Sequence, residues 1–328
     1  MTEPIHSFFS LISNMDRNLA LEFVRVTEAA AIAAAEWTGR GDGKAADQAA
    51  VNEMRQRFHQ IDFHGEVVIG EGEKDEAPEL YVGEKLGTGN GVELDIAVDP
   101  LECTDSVANG RPNAIAVIAT GAKGTLLKVP DMYMEKVACG PGAKGAIDLK
   151  LSPAENIERV AKRLGKDMCD MVVLVLDRPR HEQLIKDIRC TGARVRLITD
   201  GDVAGAIAPS LSDSGIDMLL GIGASTEAVL ASAAIKCLGG DFQAKLAPKN
   251  AEQHERLHKL GITDIFKILT LDDLAKGQDL TFTATGVIDG PLLKGVRYTS
   301  NHCVTHSVVM RVKSGTVRFL ETHHKLSS

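Results

Sequence analysis

The chain has 328 residues, 44% of them hydrophobic and only 4% aromatic, with Lys+Arg 37 against Asp+Glu 45 and a net charge of −8. That length makes one large domain or two packed ones, and the composition gives a core built from Ala, Val, Ile and Leu. An acidic chain with no basic run is a poor nucleic-acid binder, so an anionic ligand must be met by local charge, backbone amides or a metal.

The N-terminus, MTEPIHSFFSLISNMDRN, has no early Lys or Arg and no sustained apolar segment, unlike a secretory leader. The most apolar run, AAAIAAA at 29–35, is too short to span a bilayer. Six cysteines (103, 139, 169, 190, 237 and 303) show no CxxC spacing and read as free thiols of a reducing compartment. A cytoplasmic protein with no membrane partner is the expectation.

In chain order, a helical pattern runs from Arg17 to Trp37 and is broken by GRGDG. A second helix is expected from about Ala46 to Gln60. EVVIG (66–70) is a short buried strand that ends in the acids of EGEKDEAPE, and VELDIAVD (92–99) is another that also ends in acids. NAIAVIAT and GTLLKVP are expected to pair as strands, continued by MYMEKVA. The second half then alternates: strands DMVVLVLD, ARVRLITD and IDMLLGIG are followed by helices HEQLIKDIRCTG, GDVAGAIAPSL and STEAVLASAAIKCLG. That rhythm implies parallel βαβ units. From about Thr281 the tail returns to strands. Two α/β lobes, 1–160 and 161–328, with a cleft between them are expected.

Asp47, Glu71, Asp99, Glu102 and Glu227 all fall at the ends of predicted elements, next to or near Gly or Pro. Any one such acid, taken alone, is most simply solvated. Asp99-Pro-Leu-Glu102 closes an apolar strand, where desolvated carboxylates need a cation, and oxygen ligands suit Mg²⁺ or Mn²⁺ rather than zinc. Three successive strand mouths carry Asp177-Arg178-Pro179-Arg180, Asp200-Gly201-Asp202 and Gly221-Ile222-Gly223. Ligands of open parallel sheets bind at these carboxyl ends, and two arginines around a proline suit a phosphate. A surface salt bridge is the plainer alternative for each arginine.

Three motifs are set aside. HERLH (His254 to His258) fits HExxH, but its flanks are polar on all sides, so it reads as an exposed amphipathic helix. GRGDGK lacks the Gly-Lys-Ser/Thr ending of a phosphate loop. His323-His324 reads as a solvated end.

WTGRGDGKAADQAAV, VVIGEGEKDEAP, DIAVDPLECT, VPDMYMEKVACGPGAKG, DRPRH, ITDGDVAGAI and TEAV stand in the order seen in class II fructose-1,6-bisphosphatases, which the chain resembles from about Arg17 to Leu326. The core also resembles the lithium-sensitive phosphatases that include inositol monophosphatases. The resemblance implies a sugar-phosphatase fold, layered α-β-α-β-α. It implies hydrolysis of the 1-phosphate of fructose 1,6-bisphosphate, a gluconeogenic step, by a water activated by Mg²⁺ or Mn²⁺. It implies Asp47, Glu71, Asp99, Glu102 and Glu227 as metal ligands. Substrate contacts would be Glu102, Cys103, Thr104, Tyr133, Arg178, Pro179, Arg180, Asp200, Gly201, Asp202 and Ala224. Thr104 and Asp75 would prepare the attacking water. The family often forms dimers or tetramers, so a homo-oligomer is expected.

The chain departs from the family at three places. Cys103 stands where the family has Gly, and at positive φ that costs about 1–2 kcal/mol. The loop Gly-x-Pro-Glu-Gly becomes Ala224-Ser225-Thr226-Glu227-Ala228. The lysine that follows GRGD comes one position late, as Lys44 behind Gly43. Two alternatives follow: a shifted substrate, such as sedoheptulose 1,7-bisphosphate or an inositol phosphate, or a sugar-phosphate-binding protein that lost turnover because of Cys103.

Overall fold

The computed structural model describes residues 19–70 and 80–325. Its elements, in chain order, are α1 Ala20–Ala35, α2 Gly43–Phe58, β1 His64–Ile69, β2 Lys85–Leu86, β3 Glu93–Glu102, α3 Thr104–Asn109, β4 Ile115–Ala122 and β5 Tyr133–Cys139. Then come α4 Pro153–Leu164, β6 Val172–Leu176, α5 Glu182–Cys190, β7 Arg194–Ile198, α6 Asp202–Ile207, β8 Met218–Ala224, α7 Ser225–Leu238 and β9 Asp241–Leu246. The last are α8 Ala251–Lys259, β10 Leu269–Thr270, α9 Leu271–Leu274, β11 Thr281–Gly286, β12 Arg297–Tyr298, β13 His302–Arg311 and β14 Thr316–Lys325.

Two mixed sheets form. The first runs β12-β13-β11-β4-β3-β1-β2, with β14 also on β13; the second runs β10-β9-β5-β8-β6-β7. Pairing is parallel for β6 with β7 and β8, the expected βαβ units, and also for β1 with β3. The first sheet is built from both ends of the chain and the second from its middle, with β5 (133–139) joining the later strands.

The layers follow from which faces are apolar. Helices α1 and α2 cover one face of the first sheet. The alanine run does structural work there: Ala30, Ala31 and Ala34 are fully buried opposite Ala46 and Ala50, so small side chains let the two helices close up. Phe23, Phe58 and Phe63 fill the end of that layer with ring centroids 5.5–6.1 Å apart. Helix α7 touches both sheets and is buried from Ala228 to Ile235, apolar all round as a middle layer requires. Helices α4 and α5 close the far face of the second sheet with Ile157, Val160, Ile185 and Ile188. The result is α-β-α-β-α, the expected sugar-phosphatase layering.

Three expectations need correction. GTLLKVP is not a strand: it is irregular, with one bridge from Leu126 to Ala275, and its Thr125 and Leu126 amides donate to Asp95 Oδ2 at 2.8 and 3.1 Å. Leu126 and Val129 are buried, and Leu127 half-buried, by packing rather than by a ladder. His323-His324 is only half a solvated end: both sit in β14, His323 is exposed as expected, but His324 is half-buried with Nε2 2.9 Å from Thr305 Oγ1. The strand before the acidic motif runs on through Pro100 and Leu101 to Glu102, with a register shift against β4. HERLH lies on α8, where only Leu257 is buried, as an exposed amphipathic helix should. All six cysteines are free. No helix among the described residues is long and apolar enough to cross a membrane.

Candidate active site

The site grows from the end of β3. Asp99 and Glu102 are both 3% exposed, although carboxylates rarely go inside. Between them the register against β4 shifts, from Asp99 opposite Val117 to Glu102 opposite Ile115. Such an irregularity re-aims side chains at the end of a ladder. Asp99 Oδ1 accepts the Leu101 amide at 3.0 Å, which fixes the bend. Glu102 Oε1 accepts the Val203 amide at 2.6 Å from the start of α6. Glu102 Oε2 is buried with no hydrogen-bond partner. Burial, then the charge of Glu227, hold the Glu102 carboxyl well above its usual range, against the pull of the Val203 amide. The charges of Asp202 and Asp200 add to the push, so four acids share one region.

Cys103 follows in the left-handed region, at φ 76° and ψ 47°, as the N-cap of α3. Glycine adopts that conformation without penalty; a cysteine does so at about 1–2 kcal/mol. The thiol is 5% exposed and donates to the Asn113 carbonyl at 3.3 Å. Thr104 Oγ1 donates to the Leu101 carbonyl at 3.1 Å, leaving its lone pairs free to accept.

Helix α2 brings its N-terminus to this turn. Asp42 caps it by accepting the Ala45 amide at 3.0 Å. A Cβ on Gly43 would stand 3.0 Å from Thr104 Cγ2, so the position directly after GRGD faces the threonine. Lys44, one place later, is exposed. Asp47 is part-buried on the second turn of the same helix.

The strand mouths of the second sheet complete the cleft. Arg178 Nη2 lies 3.9 Å from Asp200 Oδ1. Pro179 opens a short 3₁₀ turn. Arg180 donates Nε and Nη2 to the Ile222 carbonyl at 3.1 and 2.7 Å, and its guanidinium stands 4.6 Å from the centre of the Tyr133 ring. Lys249 Nζ lies 3.6 Å from the same ring centre. His181 grips Ile222 from its other polar group: its Nε2 accepts the Ile222 amide at 2.8 Å, so Nδ1 carries the proton donated to the Leu176 carbonyl at 2.8 Å. Burial pushes the His181 imidazole below its usual range, which keeps it neutral and able to accept.

Gly201 has φ 98° and caps α6. Asn113, itself at φ 91°, donates Nδ2 to the Asp200 carbonyl at 3.0 Å. Asp200 is held above its usual range by burial, with Arg178 opposing. Burial would raise Asp202 too, but the charge of Lys136 and hydrogen bonds with Glu227 and Lys136 outweigh it and leave it low. Glu227 is raised by burial, with the Lys136 ammonium opposing and the Asp202 charge adding. Glu227 Oε2 accepts the Ala224 amide at 2.6 Å, one half of a capping box; alanine has no side-chain acceptor for the other half. Thr226 Oγ1 donates to the Gly70 carbonyl at 3.4 Å, so the residue before Glu71 is tied one residue from Glu227.

Glu102, Glu227, Asp200 and Asp202 therefore feel one another, and Cys103 is influenced by all but Asp202 and by Asp99 as well. Glu71 and Asp75 lie outside the described residues. Among the described residues no three acidic, His or Cys side chains close tightly enough to hold an ion. The ammonium of Lys136 stands between Asp202 and Glu227. Lys136, His181 and Asn113 were not singled out by the sequence. A lysine in the middle of the apolar strand MYMEKVA was the one available signal.

Residues 17–324 match the family described as bacterial fructose-1,6-bisphosphatase, glpX-encoded. The chain is 48% identical over 325 residues to a Haemophilus influenzae protein named fructose-1,6-bisphosphatase class 2, covering 95% of this chain and 97% of that one. It is 45% identical to fructose-1,6-bisphosphatase 1 class 2 of Escherichia coli strain K12, covering 95% and 96%. It is 43% identical to a Synechococcus protein named D-fructose 1,6-bisphosphatase class 2/sedoheptulose 1,7-bisphosphatase, covering 94% and 96%. On the family match over residues 17–324 and these identities, this chain belongs to the glpX-encoded bacterial fructose-1,6-bisphosphatase family.

Proposed function

We propose that the chain hydrolyses the 1-phosphate of fructose 1,6-bisphosphate, giving fructose 6-phosphate and inorganic phosphate. The observation that carries this reading is Glu102: a buried carboxylate with an oxygen that meets no donor, pressed by three further acids. Such an arrangement is costly without a cation.

The donor set is all oxygen, which fits Mg²⁺ or Mn²⁺. Asp47, Glu71, Asp99, Glu102 and Glu227 would hold the divalent cation. Bound there, such ions make water a better nucleophile and offset charge on phosphoryl oxygens. The chain's own groups do the rest. Thr104 Oγ1 spends its proton on the Leu101 carbonyl, so it can accept a hydrogen from the attacking water and aim its lone pair at phosphorus. Asp75 takes the proton. Arg178 offers a guanidinium to the sugar phosphate, and Arg180, braced by Ile222 and Tyr133, keeps its fork at a fixed angle. Asp200 and Gly201 contact the sugar, with Asp202 behind them. Positioning and charge neutralisation are what phosphoryl transfer needs most.

The test is phosphate release from fructose 1,6-bisphosphate by purified protein with Mn²⁺ or Mg²⁺, and its loss with EDTA. No release with either metal ends this reading. Sedoheptulose 1,7-bisphosphate is a second substrate to assay in competition, because the relative named for both activities is 43% identical over nearly the whole chain.

A further inference from the structure

Lys136 is an interior lysine. It lies in the middle of β5, 1% exposed, opposite Gly221 on β8. An ammonium taken out of water costs several kcal/mol unless it is paired. Two carboxylates pair it: Asp202 Oδ2, and Glu227 Oε2 at 3.0 Å. They come from different elements, Asp202 from the first residue of α6 and Glu227 from the first turn of α7.

The bridge has a shaped wall. A Cβ on Gly223 would stand 1.9 Å from Asp202 Oδ2, 2.7 Å from Lys136 Nζ and 2.8 Å from Glu227 Oε2. Only a residue with no side chain lets the three groups meet. The Ala224 amide binds the same Oε2 of Glu227. Glu227 Oε2 thus accepts from Lys136 and from its own N-cap amide, while the Asp202 and Glu227 carboxyl groups also hydrogen-bond to each other, so the three side chains form one buried cluster.

We propose that Lys136 is a positioning residue that fastens Asp202, in the sugar-phosphate mouth, to Glu227, in the cation-binding set, so that filling one site favours filling the other. This rests on the roles given above to Asp202 and Glu227. A packing role alone would lower stability and leave the two sites independent. A competing role, with the ammonium displaced by the metal, would weaken metal binding.

The experiment is a calorimetric titration of Mn²⁺ into EDTA-stripped, dialysed protein, with and without saturating fructose 6-phosphate. In the wild type the sugar phosphate should tighten Mn²⁺ binding by about tenfold, inside the range of roughly 5–150-fold usual for coupled sites. In Lys136→Met the same sugar phosphate should change it by less than about twofold. A variant with wild-type coupling overturns the proposal, whatever its melting temperature. So does a variant that binds Mn²⁺ more tightly with coupling intact, because the ammonium is then only a competitor. If Lys136→Met does not fold, Gly223→Ala drives a methyl group into the bridge; lost coupling supports the proposal and retained coupling overturns it. A wild type that neither binds Mn²⁺ nor releases phosphate defeats the proposed function and this inference together. An active wild type whose coupling survives in the variants defeats only the role of Lys136.

Discussion

Cys103 and Gly201 share one small volume: a Cβ on Gly201 would stand 3.4 Å from Cys103 Sγ and 1.9 Å from Asn113 Nδ2. Both residues have positive φ, and the thiol and the amide of Asn113 join the end of β3 to the mouth of β7. Cys103→Gly therefore has opposing effects. Relief of left-handed strain gains about 1–2 kcal/mol, while added unfolded-chain entropy costs about 0.5–1 kcal/mol and the thiol's packing is lost. The expected net change in unfolding free energy is within about 1 kcal/mol of zero, with activity kept or raised. Gly201→Ala, clashing with Asn113 on a backbone that only glycine holds easily, should cost more than about 2 kcal/mol. Urea denaturation of both variants decides it; a tolerated Gly201→Ala would show that the contact is loose.

Thr104→Val keeps the shape of the first turn of α3 and removes the hydroxyl. The fold should survive, and kcat should fall by about a hundredfold or more with a smaller change in KM. Thr104→Ser should recover most of the rate. Equal losses in the valine and serine variants would remove Thr104 from the chemistry.

Glu102→Gln bears on the buried acid directly. The folded pKa is raised, chiefly by burial, so the folded, metal-free protein holds its proton more tightly than the unfolded chain. The stability this carboxyl contributes is present below its ordinary pKa and is lost as pH rises through the folded value. Glutamine stays neutral, so EDTA-treated Glu102→Gln should be more stable than the wild type at pH 8 and should match it more closely at pH 5. It should also lose the rise in melting temperature that Mn²⁺ gives the wild type. A variant less stable at pH 8 would show that the ionised form is welcome there without a cation.

Glu66 gives the opposite sign away from the cleft. It accepts Lys128 and Lys85 at 2.6 Å each, and these bonds lower its carboxyl to about 2. The stability it adds is complete above the ordinary glutamate value and fades as pH falls toward about 2. Both lysines are well exposed, so screening keeps the effect below about 1 kcal/mol. Glu66→Gln should lower the melting temperature at pH 7 and by clearly less at pH 2.5, and high salt should shrink the difference.

The alternation of the second half, DMVVLVLD to CLG, was legible because period and punctuation agree there. The tail strands were legible for the same reason. Their place was not: nothing local in TFTATG says that β11 lies beside β4, because partner choice depends on the far face of α7. GTLLKVP failed for a related reason. An apolar run shows burial, and burial there comes from packing and from Asp95 taking two amides rather than from a ladder. In the site, residues with charge or an unusual neighbour stood out, among them Asp99, Glu102, Arg178 and Arg180. The left-handed turn at Cys103 was suggested only by the family resemblance, which places a glycine where this chain has cysteine. Residues that hold others did not stand out. His181 and Asn113 act through one backbone group each, and Lys136 acts through carboxylates far off in the chain.

The first sheet is complete only when β11 pairs with β4, from Thr281 opposite Thr120 to Gly286 opposite Ile115. A ribosome therefore releases the acid-bearing strand long before the segment that will brace its neighbour exists. At synthesis rates of about 5–20 residues per second, that interval lasts several seconds or more. During it the apolar edge of β4 is open to chaperones, proteases and stray strands, and the sheet that carries Asp99 and Glu102 can mature only after β11 has been made.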